Sequence, residues 1–326
     1  MSFPLFHRPG TLVLLDDDPD YLDALAMVLP LEWHVRMFLR PTRCVYYMHR
    51  QPQLWEQDRR RQQTMVDLWR QGKPLIPQIL HYWADTPERY ALPHVCVVDF
   101  SMPGMDGLQV LSELVDWPGA RILLTGQADE RVAVGAFNRG LIDQYIPKQA
   151  ADVAKQLVQA ITSLYDRAYQ EHNAIWRATL RPEQLALLAI PEVHAGLKAF
   201  VAQHWVDYVL IGQPFGVLGA DASGRASWLQ LETPEGLAGI AELAELHGIS
   251  RHNLQDIRNG RRLTSLELRQ SLSLQGCGEP VPAFSPAGTG ALVLAALHEL
   301  PASALPAPLM GHHEWLSRQA PREISD

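Results

Sequence analysis

Four short apolar runs in the first half of the chain end in polar or charged residues. Thr11-Leu12-Val13-Leu14-Leu15 runs into Asp16-Asp17-Asp18, and Val95-Cys96-Val97-Val98 into Asp99. Ala120-Arg121-Ile122-Leu123-Leu124 runs into Thr125, and Gln144-Tyr145-Ile146-Pro147 into Lys148. A fifth run, Trp33 to Leu39, lies between the first two. Short apolar runs bounded by turn residues read as buried strands. After Asp99 the segment Phe100-Ser101-Met102-Pro103-Gly104-Met105-Asp106-Gly107 supplies turn chemistry. The stretch Asp20 to Leu29 reads as a helix capped by Asp18, with Pro19 in its first turn. Parallel α/β sheets bind ligands at the C-terminal edge of their strands. The acids, the hydroxyl and the amine therefore converge on one expected pocket.

The pattern between Arg40 and His94 is different. About fifty residues separate the second and third strands where a short helix would suffice, and structureless loops of that length are rare. Gln53 to Gln71 carries Leu54, Trp55, Met65, Val66, Leu68 and Trp69, with Arg59-Arg60-Arg61 among them. A helical insertion is expected, as a hairpin packed on the rest of the chain or as a partner surface, since aromatic and Arg residues are enriched at interfaces. After Lys148, apolar residues recur at helical spacing: Val153, Leu157, Ile161, Leu164, Ala168, His172 and Ile175. No Pro or Gly interrupts Ala150 to Leu180, so a helix that continues outward as a connector is expected. Arg181-Pro182 ends it.

The second region, 182–326, mixes periods. Glu183 to Ala189 and Glu192 to Trp205 read as helices. Val206 to Ile211, Phe215 to Ala220 and Ala226 to Leu231 read as an antiparallel meander, with turns at Gln213-Pro214 and Asp221 to Gly224. Gly236 to His247, Ser250 to Asn259 and Thr264 to Ser273 read as short helices. The stretch 240–262 resembles a helix-turn-helix: Ala244, Gly248, Ile249, Ser250, Leu254 and Ile257 suit its small, turn and core positions. In that pattern Arg251, His252 and Asn253 would start the recognition helix, and Arg258 would reach phosphate. The Pro- and Gly-rich tail from Gln275 is expected to hold one helix, Ala291 to Glu299. His312-His313-Glu314-Trp315 reads as a surface cluster rather than a metal site.

Composition narrows the classes. A chain of 326 residues with 47% hydrophobic and 20% charged residues suggests two globular domains. A net charge of -8 argues against a broad nucleic-acid surface, though not against a small basic reader. No apolar run has membrane-spanning length. The three cysteines, Cys44, Cys96 and Cys277, have no metal-like spacing, which fits a reducing, cytoplasmic compartment. After Pro182 there is no glycine-rich phosphate loop, paired carboxylate or His/Cys metal spacing, so no output enzyme is expected.

The set Asp16-Asp17, Asp99, Thr125 and Lys148, in that order on successive strands, resembles the CheY-like receiver domain of two-component response regulators. The resemblance covers Thr11 to Leu164. It implies a doubly wound, five-stranded parallel sheet of flavodoxin type, here with a helical insertion at about 40–94, in a receiver domain of residues 1–164. Residues 165–181 would form the connecting helix, and 182–326 a mixed α+β output domain. It implies Asp99 as phosphoacceptor, since a carboxylate can form an acyl phosphate. It implies Mg²⁺ held by Asp17, Asp99 and the Ser101 backbone carbonyl, with Asp16 acting through water. Lys148 would pair with the phosphoryl group as a point charge. Lysine occurs only at positions 73, 148, 155 and 198, which sharpens that assignment. Thr125 and Tyr145 would form the switch, and Ser101 and Gln127 would tune dephosphorylation. The implied partner is a histidine kinase or phosphotransfer protein. A homodimer, an unidentified output partner and, as the alternative, DNA complete the expected partners. Gln149 stands where the family has Pro, with Pro147 before the lysine instead.

Overall fold

A computed structural model describes residues 3–126, 130–276, 278–288, 292–322 and 324–325. In chain order, strands β1 (Phe6–His7) and β2 (Thr11–Leu15) lead to helix α1 (Pro19–Val28). The Asp18 carboxylate accepts the N–H groups of Asp20 at 3.0 Å and Tyr21 at 3.2 Å, so the expected cap forms. Strand β3 (His34–Phe38) precedes α2 (Pro41–Met48), α3 (Gln51–Arg70) and α4 (Leu75–Asp85). These three helices make up most of the insertion. Then come β4 (Pro93–Asp99), α5 (Gly107–Ser112), β5 (Ala120–Thr125), α6 (Glu130–Asn138), β6 (Gln144–Pro147) and α7 (Val153–Leu164).

The long helix expected after Lys148 is broken. It stops at Leu164, tightens into a 3₁₀ turn over Tyr165–Tyr169, and resumes as α8 (Gln170–Arg177). The cause is tertiary. The Tyr165 hydroxyl accepts the Gly10 N–H at 2.5 Å, and the Tyr169 hydroxyl meets His94 Nε2 at 2.6 Å. Both rings are thereby drawn onto the sheet instead of outward along a straight helix.

Helices α9 (Pro182–Leu188) and α10 (Pro191–His204) precede the meander β7 (Asp207–Gly212), β8 (Phe215–Ala220) and β9 (Ala226–Glu232). Helices α11 (Leu237–Leu246) and α12 (Arg251–Arg258), strand β10 (Arg262–Leu263), helix α13 (Leu266–Ser271) and strand β11 (Val281–Pro282) follow. The segment expected as helix Ala291 to Glu299 is instead strand β12 (Leu294–Glu299), paired antiparallel with β9 from Leu294↔Glu232 to Glu299↔Ser227. Its Ala and Leu residues favour a helix alone, but the free edge of β9 decides. The chain ends with α14 (His312–Ser317) and β13 (Ile324–Ser325). His312 and Trp315 are buried, so the expected surface cluster reduces to His313 and Glu314.

Two compact units result, and they interleave along the chain rather than following one another. One takes Pro9–Arg60, Glu88–Glu171 and Trp315–Asp326; the other takes Met1–Arg8, Arg61–Pro87 and His172–Glu314. The boundaries between the units fall inside α3, α8 and α14, among other places; the sequence places boundaries at 164 and 181. The first unit is a six-stranded parallel sheet in the order β13-β3-β2-β4-β5-β6. Five of these strands are the expected ones, and β13 adds a short sixth at the β3 edge. Its core joins Leu12, Leu14, Val95, Val97, Ile122 and Leu124 to apolar residues of α1 and α7. The second unit holds an antiparallel sheet in the order β1-β7-β8-β9-β12 and a two-stranded ribbon, β10-β11. No single helix among the described residues is long and apolar enough to cross a membrane.

Candidate functional site

The apolar sides of β2 and β4 fix where their last residues go. Every residue of β4 is buried, and the strand delivers Asp99 to the C-terminal edge with 4% of its surface exposed. β2 delivers Asp16, 1% exposed, to the same edge beside it. Asp17 follows and is exposed. Ligand atoms of Asp16, Asp17 and Asp99 all lie within 4.8 Å of one another. β6 delivers Lys148, whose Nζ lies 2.7 Å from Asp16 Oδ2 and 2.8 Å from Asp99 Oδ1.

Backbone geometry holds these groups in place. The Ser101 N–H donates to Asp99 Oδ2 at 3.2 Å, and the Asp18 N–H to Asp16 Oδ1 at 3.1 Å. The Lys148 N–H donates to the Thr125 carbonyl at 2.9 Å, which ties the end of β6 to the end of β5. The sole cis peptide among the described residues is Gln213-Pro214, so Lys148-Gln149 is trans. Gly107 opens α5 directly beneath the site: a Cβ there would sit 2.2 Å from the Asp99 carbonyl oxygen. The loop can therefore fold back only with glycine at this position. Asp106 closes the turn through a capping box with Gln109, with bonds of 2.8 and 3.0 Å.

The electrostatics follow from burial against charge. Burial pushes the Asp16 carboxyl above its ordinary range, and Lys148 only partly offsets this. For Lys148, burial works against the ammonium, but hydrogen bonds and charge from Asp16 and Asp99 outweigh it and hold its pKa above the usual lysine value. The donor set is all oxygen and all hard. It fits a small divalent cation such as Mg²⁺, which takes a few carboxylates and keeps several waters.

Thr125 ends β5 and is buried, and its hydroxyl makes no hydrogen bond among the described residues. Tyr145 is half-buried on β6, paired in register with Leu123. Ser101 is exposed. Gln127 lies outside the described residues, as does Cys277. Two participants escaped the sequence reading. Gly107 is one; its only signal was the Asp-Gly after the turn. Tyr21 is the other. Lys148 Nζ lies 4.5 Å from its ring centroid, so the ring face shields the ammonium.

The residues of the helix-turn-helix-like stretch lie elsewhere, in the second unit. Gly248 adopts φ +81 and Ser250 caps α12 through the Asn253 N–H at 3.3 Å, so α11 and α12 are joined by a tight turn. Ala241, Ala244, Leu254 and Ile257 pack between them with Leu266 of α13. Arg251 and His252 are exposed. Arg258 lies 3.3 Å from Glu245, and His252 lies 3.5 Å from Asp256. Both basic side chains thus have acidic neighbours within the helix pair.

A family profile described as response regulator receiver domain matches residues 61–162. The chain carries a receiver domain. The matched part takes in Asp99, Thr125 and Lys148 and begins after Asp16 and Asp17. The response regulator LqsR of Legionella pneumophila has a similar structure, with 24% identity over 98% of this chain and 98% of that one and a TM-score of 0.69. At that identity the likeness speaks for the fold. A response regulator receiver domain protein from Clostridium thermocellum gives 18% identity over 48% of this chain and 95% of that one, TM-score 0.31. An adenylate cyclase from Rhodopirellula baltica gives 20% over 51% and 97%, TM-score 0.33. No curated protein matches the chain.

Proposed function

We propose that the receiver domain is a phosphorylation switch with Asp99 as its acceptor. The observation that carries this is the position of Lys148 Nζ, 2.8 Å from one Asp99 oxygen and 2.7 Å from Asp16. A phosphoryl group arriving from a phosphohistidine would break its N–P bond and form a P–O bond to an Asp99 carboxylate oxygen. The donor histidine regains a proton and leaves neutral. Lys148 would then meet the new phosphoryl oxygens as a point charge. Asp17, Asp99 and the Ser101 carbonyl would hold Mg²⁺, with Asp16 behind them, and the ion would supply positive charge to those same oxygens. Thr125 would donate to the bound phosphoryl group, with Tyr145 turning beside it, so that the modified state is selected by new charge-assisted contacts. Ser101 and Gln127 would tune hydrolysis. The donor is a histidine kinase or a phosphotransfer protein in the cytoplasm.

For output we favour a protein-interaction or oligomerisation module. Val132, Val134 and Phe137 of α6 are exposed, which supports a docking surface next to the switch. The tight α11-α12 turn supports the alternative, DNA binding through Arg251, His252, Asn253 and Arg258. The acidic neighbours of Arg258 and His252 weigh against it. Salt-dependent DNA binding that falls in Arg251→Ala would decide for it.

The phosphoacceptor is tested with a radiolabelled small phosphodonor and Mg²⁺. Wild type should take up alkali-labile label and Asp99→Ala none. Equal labelling of the variant would remove Asp99 from the assignment.

A further inference from the structure

The second unit contains a cavity of about 520 Å³, within the range of small-molecule sites. One wall is the face of β9. Residues two apart on a strand share a face, so Trp228, Gln230 and Glu232 look the same way, and all three line the cavity. Opposite Gln230 on β8 stands Gly216, where a Cβ would meet the Trp228 indole at 2.5 Å. The glycine lets the indole lie across the sheet. The other walls come from Trp69, Arg181, Ile240, Thr264 and Glu267.

The polar groups of this wall are held in one orientation. His298 is buried on β12, and its Nε2 lies 3.0 Å from Gln230 Oε1. Burial holds its pKa at about 4, so the ring is neutral at ordinary pH. A carboxamide oxygen only accepts, so the ring carries its proton on Nε2. The amide nitrogen of Gln230 makes no hydrogen bond among the described residues. Glu232 accepts the Thr233 N–H at 2.9 Å through Oε1. Its carboxylate occupies the space that a side chain at Gly236 would need, 2.0 Å from the ideal Cβ. Burial raises its pKa first, and the charge of Glu267 adds to the rise. The lining holds three carboxylates, Glu183, Glu232 and Glu267, against one guanidinium, Arg181. Such a cavity disfavours phosphate and other anions, and its aromatic walls suit a cation.

We propose that this cavity binds a small organic cation, an amine or a guanidine, through the Glu232 carboxylate, with Gln230 and the rings of Trp69 and Trp228 as its further walls. The ammonium or guanidinium donates to Glu232, and the carbon skeleton lies against the indoles. The site works independently of the Asp99 chemistry, since no residue of the receiver pocket belongs to it.

Isothermal titration of the full chain tests this, with tyramine and agmatine as probes and 4-ethylphenol as the uncharged counterpart of tyramine. Saturable one-to-one binding of tyramine or agmatine is expected, with none for 4-ethylphenol. Glu232→Gln should weaken it at least about tenfold, as loss of a charge-assisted bond does, with an unchanged thermal unfolding midpoint. Gln230→Ala should weaken it as well, and decides if Glu232→Gln does not fold. Absence of saturable heat from both cations would overturn the proposal. So would equal affinity for 4-ethylphenol, or wild-type affinity in every folded variant.

Discussion

Lys148 stands between two carboxylates that strand ends force together. Removing its charge leaves Asp16 and Asp99 facing each other in a poorly hydrated pocket. Lys148→Ala is therefore expected to lower stability by about 2 kcal/mol in urea unfolding without added Mg²⁺, less than the ~3–5 kcal/mol of a fully buried pair because Lys148 is partly exposed. Unchanged stability would mean that the ammonium does not hold the pair. Histidines set a second effect of single residues. Burial keeps the pKa of His298 and of His34 at about 4, with Arg36 and Arg322 adding to the effect at His34. In the unfolded chain both return to about 6.5. The unfolded state then takes up protons first as pH falls, so the unfolding free energy should drop between about 6.5 and about 4 and level off below. His298→Gln and His34→Gln should each flatten that slope. Wild-type pH profiles in both variants would show that neither ring stays neutral when folded.

At the scale of elements, the C-terminal segment does more than its length suggests. The Arg322 guanidinium donates to the carbonyls of Ala26, Leu29, Pro30 and Trp33, and β13 then pairs with β3. It thus closes the α1-β3 turn, adding to the Trp33 N–H that the Pro30 carbonyl already accepts. Arg322→Ala is expected to cost about 1.5–3 kcal/mol, the range for hydrogen bonds to a charged group. A urea midpoint within error of wild type would contradict this. Neither β13 nor this clamp was legible in the sequence, because a two-residue strand has no period and an arginine near a terminus carries no signal. The strand ends of the site were legible for the opposite reason. Burial on both faces makes the last residues of β2, β4 and β5 apolar runs, so Asp16, Asp99 and Thr125 stand out where the runs stop. The break after Leu164 was hidden because Tyr165 and Tyr169 are acceptable helix residues, and only their contacts with Gly10 and His94 bend the chain. β12 was hidden because its Ala, Leu, His and Glu residues prefer a helix until β9 offers an edge.

At the scale of the whole molecule, a receiver and a second α+β unit share one chain, and the insertion contributes residues to both. The proposed switch needs a change that the second unit or a partner can sense. Light scattering of the full chain with beryllofluoride and Mg²⁺ is expected to report a mass increase towards a dimer, carried by the exposed apolar residues of α6. An unchanged mass, with beryllofluoride bound, would leave docking of a different protein as the output. The central claim is narrower and more directly reached. After exposure to a small phosphodonor with Mg²⁺, an acyl phosphate can be reduced with borohydride and its position read by peptide mass spectrometry. Homoserine at position 99, and only there, is the predicted result. Homoserine at Asp16 or Asp17 instead, or none in a protein shown to bind Mg²⁺, would contradict the assignment of Asp99 as the phosphoacceptor.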